Sequence, residues 1–163
     1  MILHHEFIRT AKKFGNRTAI SDKLRDSEVS FSKALIASII LAKKFSKYHG
    51  GLMGIMIPSS AGASLSIMGT LFAGKVPVMI NYSTGAAENC EYAQEKCGLK
   101  TIITSRALLE KIGCRLVKGM VFIEDIMERV STTDKLNAAL KSKMPAGLLI
   151  KSLPTVEEDD NVT

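Results

Sequence analysis

One stretch near the middle of the chain decides the fold: Leu52–Ser83, LMGIMIPSSAGASLSIMGTLFAGKVPVMINYS. Leu52–Ile57 is apolar at nearly every position, which is typical of a strand covered on both faces. Ala63–Ala73 then has the length and composition of a helix, and Val76–Ile80 is a second apolar strand. A strand, a helix and a strand joined by short loops predict a right-handed crossover and a parallel sheet.

The same stretch overlaps an uncharged segment, Gly50–Gly74, that is long enough to cross a bilayer, for which about 20 apolar residues suffice. Pro58 interrupts this segment, and its second half is rich in Gly, Ala and Ser. We therefore interpret it as a buried strand, a loop and a buried helix. Small residues form a stripe along that helix, at Gly62, Ser66, Gly69 and Ala73. The stripe predicts that the helix approaches a neighbour closely.

The rest of the chain continues this alternation and predicts an α/β fold with helices on both faces of a parallel sheet. Upstream, we predict a helix at Leu3–Phe14, a β-hairpin from Thr18–Ser21 and Val29–Phe31, and a long helix that Ser32 caps and Gly50-Gly51 end. Downstream, we predict a helix at Glu88–Lys96, a strand at Thr101–Thr104, a helix from its Ser105 cap to Ile112, a strand at Gly119–Ile123, a polar helix at Asp134–Ser142 and an irregular segment at Pro145–Pro154. Pro77 predicts that the strand Val76–Ile80 lies near a sheet edge or begins at that proline.

The charge balance allows two interpretations. The chain has 163 residues and a net charge of +6, and its 46 % hydrophobic and 23 % charged fractions are those of a globular protein. Its lysines fall in small clusters, at Lys12 and Lys13, at Lys43, Lys44 and Lys47, and at Lys141, Lys143 and Lys151. These clusters are typical of solvated helix faces, but they also suit an acidic partner such as anionic lipid, a nucleotide or an acidic carrier protein. Nucleic acid is not expected, because no aromatic residues interleave with a basic stripe.

Cysteine and histidine residues predict no metal site. Cys90, Cys97 and Cys114 are odd in number and lack metal-ligand spacing, so we expect reduced thiols in the cytoplasm. We expect no secretory signal, because Met1 is followed almost at once by the polar segment HHEFIRTAKKFG. His4 and His5 are interpreted as exposed helix residues. The acidic run from residue 157 to residue 160 is not expected to bind a metal, since contiguous acids on an extended segment point in alternate directions.

Two loops are the candidate binding segments, since ligands of open α/β sheets bind beyond the carboxyl ends of the strands. These loops read PSSAG and NYSTG. The predicted substrate-facing residues are Pro58, Ser59, Ser60, Asn81, Tyr82, Ser83 and Thr84. Such residues also form ordinary turns and helix caps. No Walker loop, dinucleotide fingerprint, nucleophile elbow or Ser-His-Asp set is present, so no catalytic residue is assigned.

The order of segments resembles the N-terminal part of the adenylate-forming enzymes, a superfamily of acyl-CoA synthetases, luciferases and peptide-synthetase adenylation domains. The resemblance rests on VSFSKALIASIILAKKF, GIMIPSS and LFAGKVPVMINYS within Val29–Ser83, and on KTIITSRALLEKI at Lys100–Ile112. VPVMINYSTG and LKTIITSRALLEKI are most similar to the acyl-acyl carrier protein synthetases linked to 2-acylglycerophosphoethanolamine acyltransferases. Most families of the superfamily have Asn-Pro or Asp-Pro where this chain has Asn81-Tyr82.

The resemblance implies a parent enzyme that activates a fatty acid with ATP and Mg²⁺, releases pyrophosphate and transfers the acyl group to coenzyme A or to the phosphopantetheine of acyl carrier protein. It implies an N-terminal α/β subdomain over residues 1–153 and an acidic linker over residues 154–163, which leads into a missing phosphate-binding segment. Catalytic residues would then lie beyond Thr163, and this chain alone is expected to bind no cofactor. The resemblance also implies a cytoplasmic location, either free in the cytoplasm or at the inner face of the membrane.

Two alternatives stay open. One is a non-catalytic α/β interaction module, and the other is a small flavodoxin-like nucleotide-binding domain that uses PSSAG and NYSTG. The coding sequence beyond Thr163 discriminates between them and the synthetase, because a Gly/Ser/Thr-rich loop there favours the synthetase and a stop codon favours the module.

Overall fold

The computed structural model describes residues 1–23 and 26–156, so most of the predicted acidic linker lies outside the described residues. The helices are α1 (Leu3–Phe14), α2 (Phe31–Phe45), α3 (Ala61–Phe72), α4 (Ala86–Cys97), α5 (Arg106–Ile112), α6 (Ile123–Glu128), α7 (Thr132–Ser142) and α8 (Ala146–Lys151). The strands are β1 (Thr18–Asp22), β2 (Ser27–Ser30), β3 (Leu52–Met56), β4 (Val76–Met79), β5 (Ile102–Thr104) and β6 (Met120–Phe122).

The strands form the predicted hairpin and the predicted parallel sheet. β1 and β2 pair antiparallel. The other four strands are all parallel, in the order β4-β3-β5-β6. β4 lies at the edge of this sheet, with Pro77 opposite Met53 of β3. The edge position is confirmed, and it suits a residue that has no N–H to donate to a second neighbour.

The central strand β3 is buried on both faces, because successive side chains of a strand point in opposite directions. Met53, Ile55 and Ile57 pack in one cluster with Leu41 and Phe45 of α2. Met56 packs in another cluster, which draws its residues from α4 and α5 on the opposite face: Ala86, Ala87, Cys90, Leu108 and Leu109. The prediction of helices on both faces is confirmed.

The uncharged segment Gly50–Gly74 forms β3, a loop and α3, as expected. No helix of the described residues is long and apolar enough to cross a membrane. Within the small-residue stripe of α3, Gly69 lies against α2, whereas Gly62 is exposed. A Cβ atom added at Gly69 would lie 2.6 Å from the Cβ atom of Leu41. The close approach of the two helices therefore depends on this glycine.

The predicted boundaries of α2 were wrong at both ends. Its N-cap is Ser30 instead of Ser32, and the Ser30 hydroxyl accepts a hydrogen bond from the Lys33 amide at 3.3 Å. Ser30 ends β2 with extended backbone, so the hydroxyl reaches the amide three residues on, as a capping residue does. The helix ends at Phe45, before Gly50-Gly51, because Phe45 is its last buried residue.

Two short helices were missed. Pro145–Pro154, predicted to be irregular, contains α8, and α6 begins at Ile123, which had been assigned to the last strand. Each of these helices has six residues, too few for a helical period to be visible in the sequence. α8 forms because Leu149 is fully buried in a cluster with residues of α1 and α2.

His4 was predicted to be exposed, and this was wrong. Its side chain is only 1 % exposed, and its ring lies 6.0 Å from that of Phe72. Neither ring nitrogen has a hydrogen-bond partner among the described residues. Burial, and to a smaller degree the charge of His5, lowers the pKa of His4 to about 4. The folded protein therefore favours the neutral ring.

We predict that Gly69→Ala destabilises the protein by roughly 1–3 kcal/mol, because the added methyl group overlaps Leu41. Gly62→Ala in the same helix is the matched control, since a Cβ atom there would lie 3.6 Å from the Ser60 hydroxyl. Urea unfolding of both variants measures the difference. Equal midpoints would show that α2 and α3 have room to separate.

We predict that stability falls as the pH is lowered from 6.5 towards 4. The unfolded chain binds a proton at His4 near pH 6.5 and the folded chain only near pH 4. The contribution of the neutral His4 ring to the free energy of unfolding is therefore fully present above pH 6.5. It declines by roughly 2–3 kcal/mol between pH 6.5 and pH 4. Urea midpoints at several pH values measure the decline. His4→Leu should remove most of it, and a decline that persists unchanged in His4→Leu would refute the assignment.

Candidate functional site

The carboxyl ends of β3, β5 and β6 meet in a cleft of about 600 Å³, which we call the edge cleft. This is the position where open parallel sheets bind ligands. Most of its walls are apolar, supplied by Leu41, Ile57, Leu65, Leu108, Ile123 and Met127. A cleft of this size and lining suits a small ligand with a substantial apolar part.

One side of the edge cleft carries a carboxylate. The Oε1 atom of Glu124 accepts hydrogen bonds from the Ser105 hydroxyl at 2.8 Å and from the Arg106 amide at 3.1 Å. Ser105 therefore occupies the predicted N-cap position of α5, but Glu124 makes the capping bond. The Oε2 atom of Glu124 is buried and has no partner among the described residues. This atom therefore keeps an unused acceptor beneath the surface of the cleft.

Two further polar residues line the edge cleft. Ser66 is completely buried, and its hydroxyl has no hydrogen-bond partner within residues 1–23 and 26–156. Asp22, at the end of β1, accepts a hydrogen bond from the Ala61 amide at 3.1 Å, at the N-terminus of α3. Lys111 lines the cleft as well, which thus combines apolar walls with two carboxylates, a lysine and a buried hydroxyl.

The first predicted loop, PSSAG, reaches the edge cleft in part. Pro58 and Ser60 line it, whereas Ser59 is exposed to solvent outside it. Ser60 is the N-cap of α3, since its hydroxyl accepts a hydrogen bond from the Ala63 amide at 3.3 Å. The same hydroxyl donates to the carbonyl oxygen of Pro58 at 2.9 Å. Ser60 therefore serves the turn and the helix cap.

The second predicted loop, NYSTG, lies beside the first at the same sheet edge but does not line the edge cleft. The side-chain oxygen of Asn81 accepts hydrogen bonds from the Ser83 amide at 2.9 Å and from the Ser83 hydroxyl at 2.7 Å. Asn89 of α4 donates to the carbonyl oxygens of Asn81 and Thr84, at 2.9 and 2.8 Å. Tyr82 packs against the core cluster of α4 and α5. Contact of these residues with a substrate stays a prediction.

The sequence reasoning missed the groups that give the edge cleft its polar character: Asp22, Ser66, Ser105 and Glu124. A signal for two of them existed. Ligands bind beyond the carboxyl ends of parallel strands, and only the loops after Leu52–Ile57 and Val76–Ile80 were predicted from the sequence to bind one. Ser105 and Glu124 follow the next two predicted strands. Ser66 had been interpreted only as a small residue of the stripe. Asp22 reaches the site from the hairpin, which no local pattern indicates.

The cysteines supply no activated nucleophile near the edge cleft. All three are free, and Cys90 is fully buried beside the sulfur of Met56, at 3.5 Å. Burial raises the pKa of Cys90 to about 11. Its thiol is therefore protonated at neutral pH and serves packing.

Solved structures of several enzymes are similar to the chain. The nonribosomal peptide synthetase FmoA3, bound to α-methyl-L-serine-AMP, aligns over 81 % of this chain and 15 % of its own, with a TM-score of 0.66 and 14 % identity. O-succinylbenzoate coenzyme A synthetase from Bacillus subtilis, in complex with ATP and magnesium ion, aligns over 76 % and 33 %, with a TM-score of 0.63 and 17 % identity. A Mycobacterium tuberculosis fatty acyl CoA synthetase aligns over 79 % and 28 %, with a TM-score of 0.63 and 16 % identity.

The chain has the fold of the N-terminal subdomain of adenylate-forming enzymes. No protein-family model matches it. The aligned part spans between 15 % and 33 % of the three similar chains, well under two thirds of their length. At 14–17 % identity, the likeness establishes a shared architecture.

We predict that Asn89→Asp destabilises the protein by about 1–3 kcal/mol, because a carboxylate would face two carbonyl oxygens to which the amide donates. The matched control is Asn137→Asp, at an exposed position of α7. Urea unfolding and limited proteolysis near Ser83 measure the effect. If both variants unfold at the same urea concentration, the NYSTG turn does not depend on Asn89.

Proposed function

We propose that this chain is the N-terminal subdomain of an ATP-dependent, AMP-forming acid–thiol ligase. The observation that carries the proposal is the architecture shared with three synthetases, one of which is bound to α-methyl-L-serine-AMP and one to ATP and magnesium ion. The sequence resemblance over Val29–Ser83 supports it independently of the overall fold.

The proposed acid is a fatty acid. The support is the sequence similarity to acyl-acyl carrier protein synthetases, together with a similar structure named as a fatty acyl CoA synthetase. The thiol acceptor is proposed to be acyl carrier protein or coenzyme A, in an enzyme that serves lysophospholipid reacylation at the cytoplasmic face of a membrane. The net charge of +6 suits an acidic carrier protein or an anionic lipid surface.

The described residues do not fit ATP and Mg²⁺. The hydroxyl-bearing loops already use their polar groups, as Ser60 does in capping α3 and Asn81 does in its own turn. Within the described ranges no group of three or more His, Cys, Asp or Glu side chains could hold a metal ion. The edge cleft is lined by two carboxylates, those of Asp22 and Glu124, and by one lysine, Lys111, and this charge balance disfavours a polyphosphate. The proposal therefore assigns the nucleotide, its metal and the adenylation step to other parts of the enzyme.

The role proposed for this chain is to build the sheet and its carboxyl edge. β3, β5 and β6 end at that edge, and α5 and α6 start there, held by the hydrogen bonds of Glu124. The flavodoxin-like alternative is less well supported, because its two proposed loops satisfy their own polar groups. The non-catalytic module is distinguished by the assay below.

We predict that the natural full-length chain catalyses fatty-acid-dependent exchange of pyrophosphate into ATP and forms a hydroxamate when the acyl-adenylate is trapped with hydroxylamine. Residues 1–163 alone should do neither, because they lack a phosphate-binding loop. Matched assays of the two proteins measure this, and the reading frame beyond Thr163 should encode a Gly/Ser/Thr-rich loop.

Exchange by residues 1–163 alone would show that the nucleotide site lies within this chain. Absence of exchange with fatty acids of any length, in a folded full-length protein, would contradict the ligase and favour the interaction module.

A further inference from the structure

Helix α7 carries its leucines on the outside. Asp134 and Ala138 are its buried residues, whereas Leu136 and Leu140 are each 59 % exposed. At 100° per residue, the two leucines lie roughly 160° around the helix from the buried pair. A helix on the surface of a globular protein normally places polar residues there. The outward face of α7 is therefore apolar without a partner among the described residues.

Two ion pairs fix this orientation. The Asp134 carboxylate accepts from Lys43 at 2.8 Å and from Lys44 at 2.6 Å, which ties α7 to α2. Asp134 also completes a capping box with Ser131 at the start of α7. The helix cannot rotate to bury its leucines without breaking these contacts.

α8 borders α7. Leu140 and Lys141 of α7 and Leu149 and Leu153 from the α8 side line one groove of about 720 Å³. Leu136 and Leu140, with the exposed lysines between residues 131 and 156, form what we call the α7–α8 surface.

The charge of the α7–α8 surface is positive. The described residues from 131 to 156 include four lysines, Lys135, Lys141, Lys143 and Lys151, all exposed. The only acidic residue in that range, Asp134, is buried and already paired with two lysines of α2. Exposed leucines surrounded by lysines are typical of helices that lie in the interface of an anionic bilayer.

We propose that the α7–α8 surface docks on an anionic lipid bilayer, with Leu136 and Leu140 entering the interface and the lysines contacting headgroup phosphates. A bilayer suits the surface, because exposed leucines and lysines lie close together on α7 and both kinds of side chain are used at an anionic lipid interface. The inference rests on the proposed function for its purpose, since a ligase of membrane-derived fatty acids gains from lying at the lipid surface.

The test is flotation of the natural full-length chain with vesicles of phosphatidylcholine alone or mixed with phosphatidylglycerol. Binding is expected only with phosphatidylglycerol, and it should weaken as salt is raised. Leu136→Ser/Leu140→Ser should reduce the affinity at least tenfold. Lys141→Gln and Lys143→Gln should each reduce it about fivefold, the effect of roughly one surface lysine.

The matched control is Leu116→Ser, which removes an equally exposed leucine, 66 % exposed, away from α7 and α8. It should bind vesicles as the unaltered protein does. Thermal unfolding confirms that each variant folds, as expected for substitutions at exposed positions.

Three results would overturn the proposal. The first is no binding to phosphatidylglycerol vesicles, and the second is an equal loss of vesicle affinity in Leu116→Ser and in the α7 variants. The third is salt-sensitive binding to acyl carrier protein without binding to vesicles. If another part of the full-length chain covers α7, the first of these results is obtained. Pyrophosphate exchange is measured separately. Exchange without vesicle binding refutes this surface alone, and vesicle binding without exchange refutes the ligase alone.

Discussion

The structure depends on covering β3 on both faces. Its side chains alternate between the α2–α3 layer and the α4–α5 layer, so neither layer can be lost without exposing a fully apolar strand. On the first side, α2 and α3 lie so close that a Cβ atom at Gly69 would come within 2.6 Å of Leu41. Phe45 of α2 lies beside this contact, with its ring 3.4 Å from the same Cβ position, and is fully buried.

The outer helices are held on this scaffold by more specific contacts. Asp134 joins α7 to α2 through Lys43 and Lys44, and these hydrogen bonds hold the pKa of its carboxyl well below its usual range. α7 is therefore oriented by charge, with the apolar residue Ala138 on its buried side. This explains how a helix with a polar sequence leaves leucines facing solvent and why two of the lysine clusters differ in role. Lys43 and Lys44 are ion-pair partners of Asp134, whereas Lys141 and Lys143 are exposed lysines of the α7–α8 surface.

In the candidate site, the residue types at the sheet edge indicate where a ligand could bind but not which polar side chains are available to it. The sequence located the edge correctly, because the order of strands and helices is visible in hydrophobic patterns. It did not show that the side chains of Ser60 and Asn81 accept hydrogen bonds from backbone amides of their own turns. Nor did it show that Glu124 approaches the start of α5, since the two segments are separated along the chain and meet only through the pairing of β5 with β6.

The sequence by itself determined the alternation of strands and helices, the parallel sheet, the edge position of Pro77 and the close approach of α3 to a neighbour. These follow from periodicity, backbone restrictions and side-chain size, which are local properties. Only the tertiary structure decided that His4 is buried, that six residues around Leu149 form a helix, and that Asp22, Ser66 and Glu124 line one cleft. Each of these depends on contacts between segments distant along the chain, where packing overrides local preference.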